Sequence, residues 1–543
     1  MRILIYLVMF LCTFTLNSQK KTFTKKDSLR GNISPDRSWW DLQKYELDIS
    51  VDILSKSISG SNKIFYKVLE NKTTMQIDLQ KPMNILEVKQ GNHILITKRI
   101  GDTYTIYLKK DQIIDSINHI SIKFEGIPLA TNSAPWRGGF TWTKDEYGCD
   151  FIGTSCQGDG ASLWWPCKDH PYDKPDKGIE LFYTVPQNLV AVGNGRLIQT
   201  SIDTIKKTKT YHWKVINPIN NYAVQMSIGN YINYRNNYKG ESGIINCDYY
   251  ILKQNFSKAK SQFMQVDKML EAFEFWFGPY PFYEDSYKIV EAPYLGMEHQ
   301  SAISYGNNYK NGYRGTDLSG TGWGLKFDFI IIHESGHEWF GNNITNKDIA
   351  DMWIHESFTN YSEAMYLEYF YGKKAANEYL IGIRKNILND KPIIGNYNVN
   401  NRGSEDMYYK GANMLQNIRY TIANDETWRL LLRGLNQVFY HQTVTTKEIE
   451  NYISDFTGID FSKVFDQYLR TTQIPTLEYK IHKKNIKYRW TNCIENFDMP
   501  LYCYLNKRQI KITPNTKWQR LKINYKIDKF TIDKNYYINL KVD

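Results

Sequence analysis

From Tyr45 onward apolar and polar residues alternate: Tyr45, Leu47, Ile49, Val51 and Ile53 are apolar, and polar side chains stand between them. A period of two marks a strand with one buried face. Short strands with turn signals recur to about Tyr234, among them "HISIKFEGIP" and "LVAVGNGRLI", and they predict an all-β first domain. The texture changes near Phe256. The stretch "SKAKSQFMQVDKMLEAFEFWFG" has helical spacing and ends at the stop signals Gly278 and Pro279. Helical segments then dominate to about Arg470, and one opens on "TTKE", where Thr445 and Glu448 form a capping box. Past Pro475 strand-like pieces return, as in "TLEYKI" and "LKINYKI". The order is β, then mostly α, then a small β module, with no internal repeat. It predicts a multidomain α+β chain with units at 39–235, 236–473 and 474–543.

The first nineteen residues, "MRILIYLVMFLCTFTLNSQ", carry Arg2 and then an apolar run from Ile3 to about Phe14. That is the build of a secretory signal peptide, and the run falls short of the roughly 20 apolar residues a spanning anchor needs. Residues 20–38 are polar and lysine-rich and read as a linker. No comparable apolar run comes later. The expectation is an exported protein, periplasmic or secreted, with no integral membrane segment once the signal is cleaved.

Length and charge narrow this modestly. A chain of 543 residues is too long for one ordinary core, and an apolar fraction of 42% fits a folded protein. The formal net charge of +11 gathers after Pro475, in "IHKKNIKYRW" and "NKRQIKITPNTKWQRLKINYK". It reads as a solvated basic strand surface, with contact to an anionic envelope or polymer as the alternative. No nucleic-acid partner is expected. Outside the signal stand Cys149, Cys156, Cys167, Cys247, Cys493 and Cys503. An oxidising compartment permits a Cys493–Cys503 bridge, and buried free thiols serve equally well. The tryptophans at 39, 40, 164 and 165 read as core rather than as a substrate platform.

Candidate chemistry centres on "FIIIHESGHEWFG". A helix turns 100° per residue, so His333 and His337 project from one face about 6 Å apart along the axis. Two imidazoles so placed can hold one Zn²⁺, with Glu334 one residue round to reach a water. Two core histidines with satisfied hydrogen bonds remain the alternative for this motif alone. A catalytic zinc site asks for a third protein ligand and an open fourth position. "DMWIHESFTNYSEAMYLEYF" reads as a second helix from about Trp353, and its Glu356 falls nineteen residues after His337. His355 is the competing ligand. Adjacent helical residues point about 100° apart, and Glu356 is preferred. Asn360 and Glu363 come next at helical spacings, as partners of the ligands or as a solvated face.

At this point the residues resemble a family. "HESGHEWFGN" followed by "WIHESFTNY" is similar to the HExxH-(x)18-E signature of the M1 (gluzincin) aminopeptidases. "YLGMEHQSA", with Gly296, Met297 and Glu298, resembles that family's GxMEN motif, and the likeness implies that Glu298 binds the substrate's free α-amino group. "MYYKGANML" resembles the Y-x-K-G segment, which implies that Tyr408 stabilises the oxyanion; Tyr409 is its rival. In "SCQGDGASLWWPCKDHP", Gln157 falls where the family helps hold the amino terminus. The resemblance covers nearly the whole chain beyond the signal and linker. It implies an N-terminal β domain, a thermolysin-like, mostly helical catalytic domain and a small C-terminal β domain, without the large helical domain of longer members.

The resemblance further implies one Zn²⁺ per chain on His333, His337 and Glu356, Glu334 as general base, and peptides with a free N-terminus as substrates. A related endopeptidase, an epoxide hydrolase and an inactive peptide-binding scaffold are the alternatives. Two departures stand out. His299 occupies the place where members commonly have Asn, and Gly336-His337-Glu338 replaces the common Ala-His-Gln. They imply a changed setting for Glu298 and added negative charge near the metal. Oligomeric state and the preferred N-terminal residue have no signal in the sequence.

Overall fold

The computed structural model describes residues 22–109 and 112–542. The expected signal peptide therefore lies outside the described residues. Among them, no helix is long and apolar enough to cross a membrane.

The first unit is all-β, as its alternation predicts. Strand Trp40–Asp52 pairs antiparallel with Ser57–Val68 and parallel with Ile179–Pro186, at the centre of an eight-stranded sheet. Tyr45, Leu47 and Ile49 are fully buried on one face, and Trp39, Trp40, Trp164 and Trp165 fill the core beneath. Tyr45 meets Trp165 edge-on at 4.9 Å between ring centroids. A four-stranded sheet carries Asp150–Ser155, and the loop leaving that strand holds Gln157.

The expected linker is not a tether. Residues 25–31 and 35–38 are helical, the first capped by a Thr24–Asp27 box. Arg37 is fully buried in an ion pair with Asp78 and donates to the carbonyls of Arg30 and Asn32. Arg30 reaches the carbonyl of Asp159 at 2.6 Å. A buried guanidinium is held only where its charge and donors are met, and these partners fasten the arm to the β domain.

The second unit opens with a five-stranded sheet whose first strand is Tyr231–Gly240, so the boundary expected at 235/236 falls inside a strand. Its edge strand, Gly296–Met297, runs antiparallel to Ile303–Tyr305. The helical stretch after Phe256 is two helices, Phe256–Gln262 and Gln265–Phe277. Helices Phe329–Trp339, Trp353–Tyr371 and Tyr409–Ile422 form the centre, and every residue from Trp353 to Leu367 is buried. The Thr445–Glu448 capping box is present.

The C-terminal module is two small sheets, of four and three strands. Arg384 donates to the carbonyls of Lys534 and Asn535, tying the module to the helical unit. All six described cysteines are free thiols. Leu501, Cys503 and Leu505 share the buried face of one strand, so the Cys503 thiol points into the core.

Candidate active site

Asp328 starts the HExxH helix. Its Oδ1 accepts from the amides of Ile330 and Ile331 at 3.0 and 3.4 Å, and its Oδ2 from the Tyr305 hydroxyl at 2.7 Å. N-capping combined with this anchor fixes where the helix begins and hence which way its histidines face. His333 and His337 lie one turn apart, ring centroids 5.1 Å from each other. The Nδ1 of His333 is 2.8 Å from Glu363 Oε1, and that of His337 is 3.0 Å from the Phe340 carbonyl. With each Nδ1 donating, both Nε2 lone pairs are free for a metal.

Glu356 closes the tripod. Its Oε2 lies 3.7 Å from His333 Nε2 and 3.3 Å from His337 Nε2. This oxygen is buried without a hydrogen-bond partner. A tetrahedral ion with bonds of roughly 2.0–2.1 Å separates its ligand atoms by about 3.3 Å. An orphaned carboxylate oxygen facing two imidazole nitrogens at that spacing fits such an ion. His355 is engaged elsewhere, since its Nε2 accepts from the Asn346 amide at 2.9 Å and its Nδ1 stands 3.5 Å from the Tyr222 hydroxyl.

Glu298 stands close to His337. Ligand atoms of Glu298, Glu334 and His337 lie within 4.8 Å of one another, all three buried. Burial pushes the Glu334 carboxyl up, to about 7, with Glu298 adding to the rise and His333 opposing it. Gly296 lets the edge strand come close, because a Cβ there would stand 2.9 Å from Glu334 Oε1. Met297 packs with Ala134, Ala292 and Tyr294. Gln157, from the β domain, donates to Glu298 Oε1 at 2.7 Å and to Glu356 Oε1 at 3.0 Å.

Tyr408 sits just ahead of the helix Tyr409–Ile422, its ring 6.1 Å from that of His333. Ser357 Oγ donates to the Met407 carbonyl at 2.6 Å and ties this turn to the helix of Glu356. Tyr408 and Tyr409 both line the cavity, and burial pushes both phenols up, with Glu356 adding most to the rise of Tyr408 and Glu363 to that of Tyr409. The cavity measures about 470 Å³ and takes in Gln157, Gly296, Met297, Glu298, Glu334 and the metal tripod.

The two departures behave differently from expectation. Glu338 does not face the metal. Its carboxylate accepts from the Ser301 amide at 2.9 Å and the Tyr280 hydroxyl at 3.1 Å, bracing the helix against the sheet. Burial raises this carboxyl, to about 8. His299 turns to Ser304, with 3.0 Å from Nδ1 to Oγ, and burial keeps it neutral. Glu363 is a partner of the ligands: besides His333 it accepts from Asn360 at 2.9 Å and from the Tyr379 hydroxyl. Tyr222, Trp136 and Arg402 join the site without any motif to mark them. Arg402 carries the one available signal, a charge six residues before Tyr408.

Residues 42–223 match the Peptidase M1 N-terminal domain, and residues 261–468 match the Peptidase family M1 domain. The chain belongs to the M1 peptidase family. Among M1 relatives, aminopeptidase N of Lactobacillus helveticus is 23% identical over 458 residues, covering 80% of this chain and 51% of that protein. Leukotriene A-4 hydrolase of Xenopus laevis is 21% identical over 443 residues, covering 78% and 69%. The chain thus spans about half the length of the first of these and about two thirds of the second. An M1 zinc metallopeptidase mutant of Deinococcus radiodurans, bound to the substrate Tyr-Ser-Ala, superposes with a TM-score of 0.66 at 17% identity, over 81% of this chain and 97% of that one. It shares the fold.

Proposed function

We propose that this M1 peptidase is a zinc-dependent aminopeptidase that removes one residue from the free N-terminus of peptides. One observation carries the reading: Glu298, a buried carboxylate, stands within 4.8 Å of ligand atoms of Glu334 and His337. A carboxylate so close to the reaction centre pairs with an ammonium one residue away from the scissile bond, and an endopeptidase has no use for it there.

His333, His337 and Glu356 would hold the zinc, which supplies Lewis acidity toward the scissile carbonyl and the attacking water. Glu334 takes the water's proton and returns it to the leaving amine, from a carboxylate that stands close to His337. The Tyr408 hydroxyl donates to the developing oxyanion. Glu298 holds the α-ammonium, and Gln157 fixes the direction of that carboxylate through the 2.7 Å bond to its Oε1. The tripeptide on the Deinococcus radiodurans protein supports peptides as the substrate class. The apolar run after Arg2 supports export, periplasmic or secreted.

Acetylating the N-terminus of a cleaved peptide tests the reading. Acetylation is expected to abolish hydrolysis by the zinc-loaded protein, and equal cleavage of free and acetylated peptides overturns the aminopeptidase assignment in favour of an endopeptidase.

A further inference from the structure

Among the described residues, Arg402 is the one lysine or arginine in the wall of the active-site cavity. It stands in the loop between helices Lys373–Ile383 and Tyr409–Ile422. One corner of its guanidinium is engaged: Nη2 donates to Glu405 Oε1 at 2.8 Å, and no other side-chain hydrogen bond joins Arg402 to the described residues. Glu405 is 53% exposed, so this pair is screened by solvent and yields at small cost. A guanidinium has five donors in a planar fork that matches a carboxylate. Several of them remain for the cavity.

Arg402 lines the same cavity as Tyr408 and Glu298. A peptide with its ammonium on Glu298 and its scissile carbonyl at Tyr408 keeps its remaining chain in a cavity whose one cationic wall residue is Arg402. An extended chain advances roughly 3.3–3.6 Å per residue, so the carboxylate of a second or third residue arrives within the cavity. A volume of about 470 Å³ suits a small ligand rather than a long chain.

We infer that Arg402 binds the C-terminal carboxylate of di- and tripeptides, which makes short peptides the favoured substrates of this site. The inference rests on the aminopeptidase reading. A bidentate carboxylate on a guanidinium is among the stronger polar contacts a cavity can offer.

The experiment compares Leu-Ala and Leu-Ala-Ala with their C-terminal amides, and adds Leu-Glu-amide as an acidic side chain without a free terminus. Leucine anilide, assayed on the same zinc-loaded wild-type protein, tests the underlying reading separately. The expected result is a kcat/KM for the free acids on the order of ten- to hundred-fold above the amides, collapsing toward unity in Arg402→Gln. Arg402→Lys keeps the charge, loses the fork and retains a part of the preference. Calorimetric titration of acid and amide into Glu334→Gln reads the same ratio as affinity without turnover, and so survives an Arg402 variant that fails to fold. Acid and amide cleaved and bound alike overturn the carboxylate site, as does a preference confined to Leu-Glu-amide. If the anilide is then still cleaved, the aminopeptidase reading stands; if it is not, both fall.

Discussion

A 3.0 Å hydrogen bond joins Gln157 to Glu356 across two domains, and the same amide nitrogen reaches Glu298 at 2.7 Å. An amide NH₂ has two donors, and here they are divided between Glu298 and Glu356. The β domain therefore completes the site rather than merely flanking it. Gln157→Ala leaves two buried carboxylates without that donor. The expected outcome is a fall in kcat/KM on free-amine substrates of about ten- to hundred-fold. Gln157→Glu, which sets a third carboxylate beside the other two, is expected to be worse than alanine. Activity within twofold of wild type for both variants removes Gln157 from the site.

Glu363 stands behind His333, outside the cluster that His333, His337 and Glu356 form. Its Oε1 stands 2.8 Å from His333 Nδ1, and Asn360 steadies it at 2.9 Å. Removing such a partner typically costs ten- to hundred-fold in metal affinity. Glu363→Ala is therefore expected to lose zinc to a competing chelator at a correspondingly lower chelator concentration, while folding with wild-type secondary structure. Unchanged zinc retention by circular-dichroism-verified material contradicts the assignment.

These roles are unequally legible in the sequence. The tripod is legible, because helical geometry alone sets two histidines on one face and the second helix returns one carboxylate to them. The preference for Glu356 over His355 comes from a 100° step, and in the fold His355 Nε2 accepts from the Asn346 amide. Glu338 obeys the same step, yet which side it meets depends on the sheet packed behind the helix, and nothing local encodes that. The arm at 25–38 has the composition of a tether. What orders it is Arg37 meeting Asp78, 41 residues away, a pairing no short window contains. The strand Tyr231–Gly240 straddles the expected boundary because its mostly exposed pattern looks like the end of the β domain. Arg402 has no periodicity to announce it, only its place in the chain ahead of Tyr408.

His170 makes the attachment of the arm pH-dependent. The ring is buried, with Nε2 3.3 Å from the Gly31 carbonyl and Nδ1 accepting the Tyr172 amide at 3.2 Å. Burial, with Arg37 adding to it, lowers this imidazole from 6.5 to about 3. The unfolded chain takes up the proton near pH 6.5 and the folded chain only near 3, so the unfolded state binds more protons in between. Stability is complete above pH 6.5 and is lost as the pH falls, at up to about 1.4 kcal/mol per unit from this group. Urea unfolding at pH 7.5 and pH 5.0 is expected to show a smaller acid loss for His170→Asn than for wild type. Equal losses mean that His170 is not neutral in the fold.

Tyr408 owes its position to a glycine. A Cβ on Gly411 would stand 1.8 Å from Ser357 Oγ and 2.7 Å from Ser357 Cβ, so rotating the hydroxyl does not relieve the clash. The helix of Tyr408 and the helix of Glu356 must then part, and the bond from Ser357 to the Met407 carbonyl goes with them. Overpacking of this kind costs about 1–3 kcal/mol. Gly411→Ala is expected to melt lower and to lose kcat, because the phenol moves off the oxyanion position. Tyr408→Phe separates the two effects: it keeps the packing and removes one oxyanion donor, a loss of roughly 10²–10³ in kcat with little change in melting. Tyr409→Phe is the control, since Tyr409 lines the same cavity one residue along. A larger loss of kcat from Tyr409→Phe than from Tyr408→Phe reverses the assignment of the oxyanion donor.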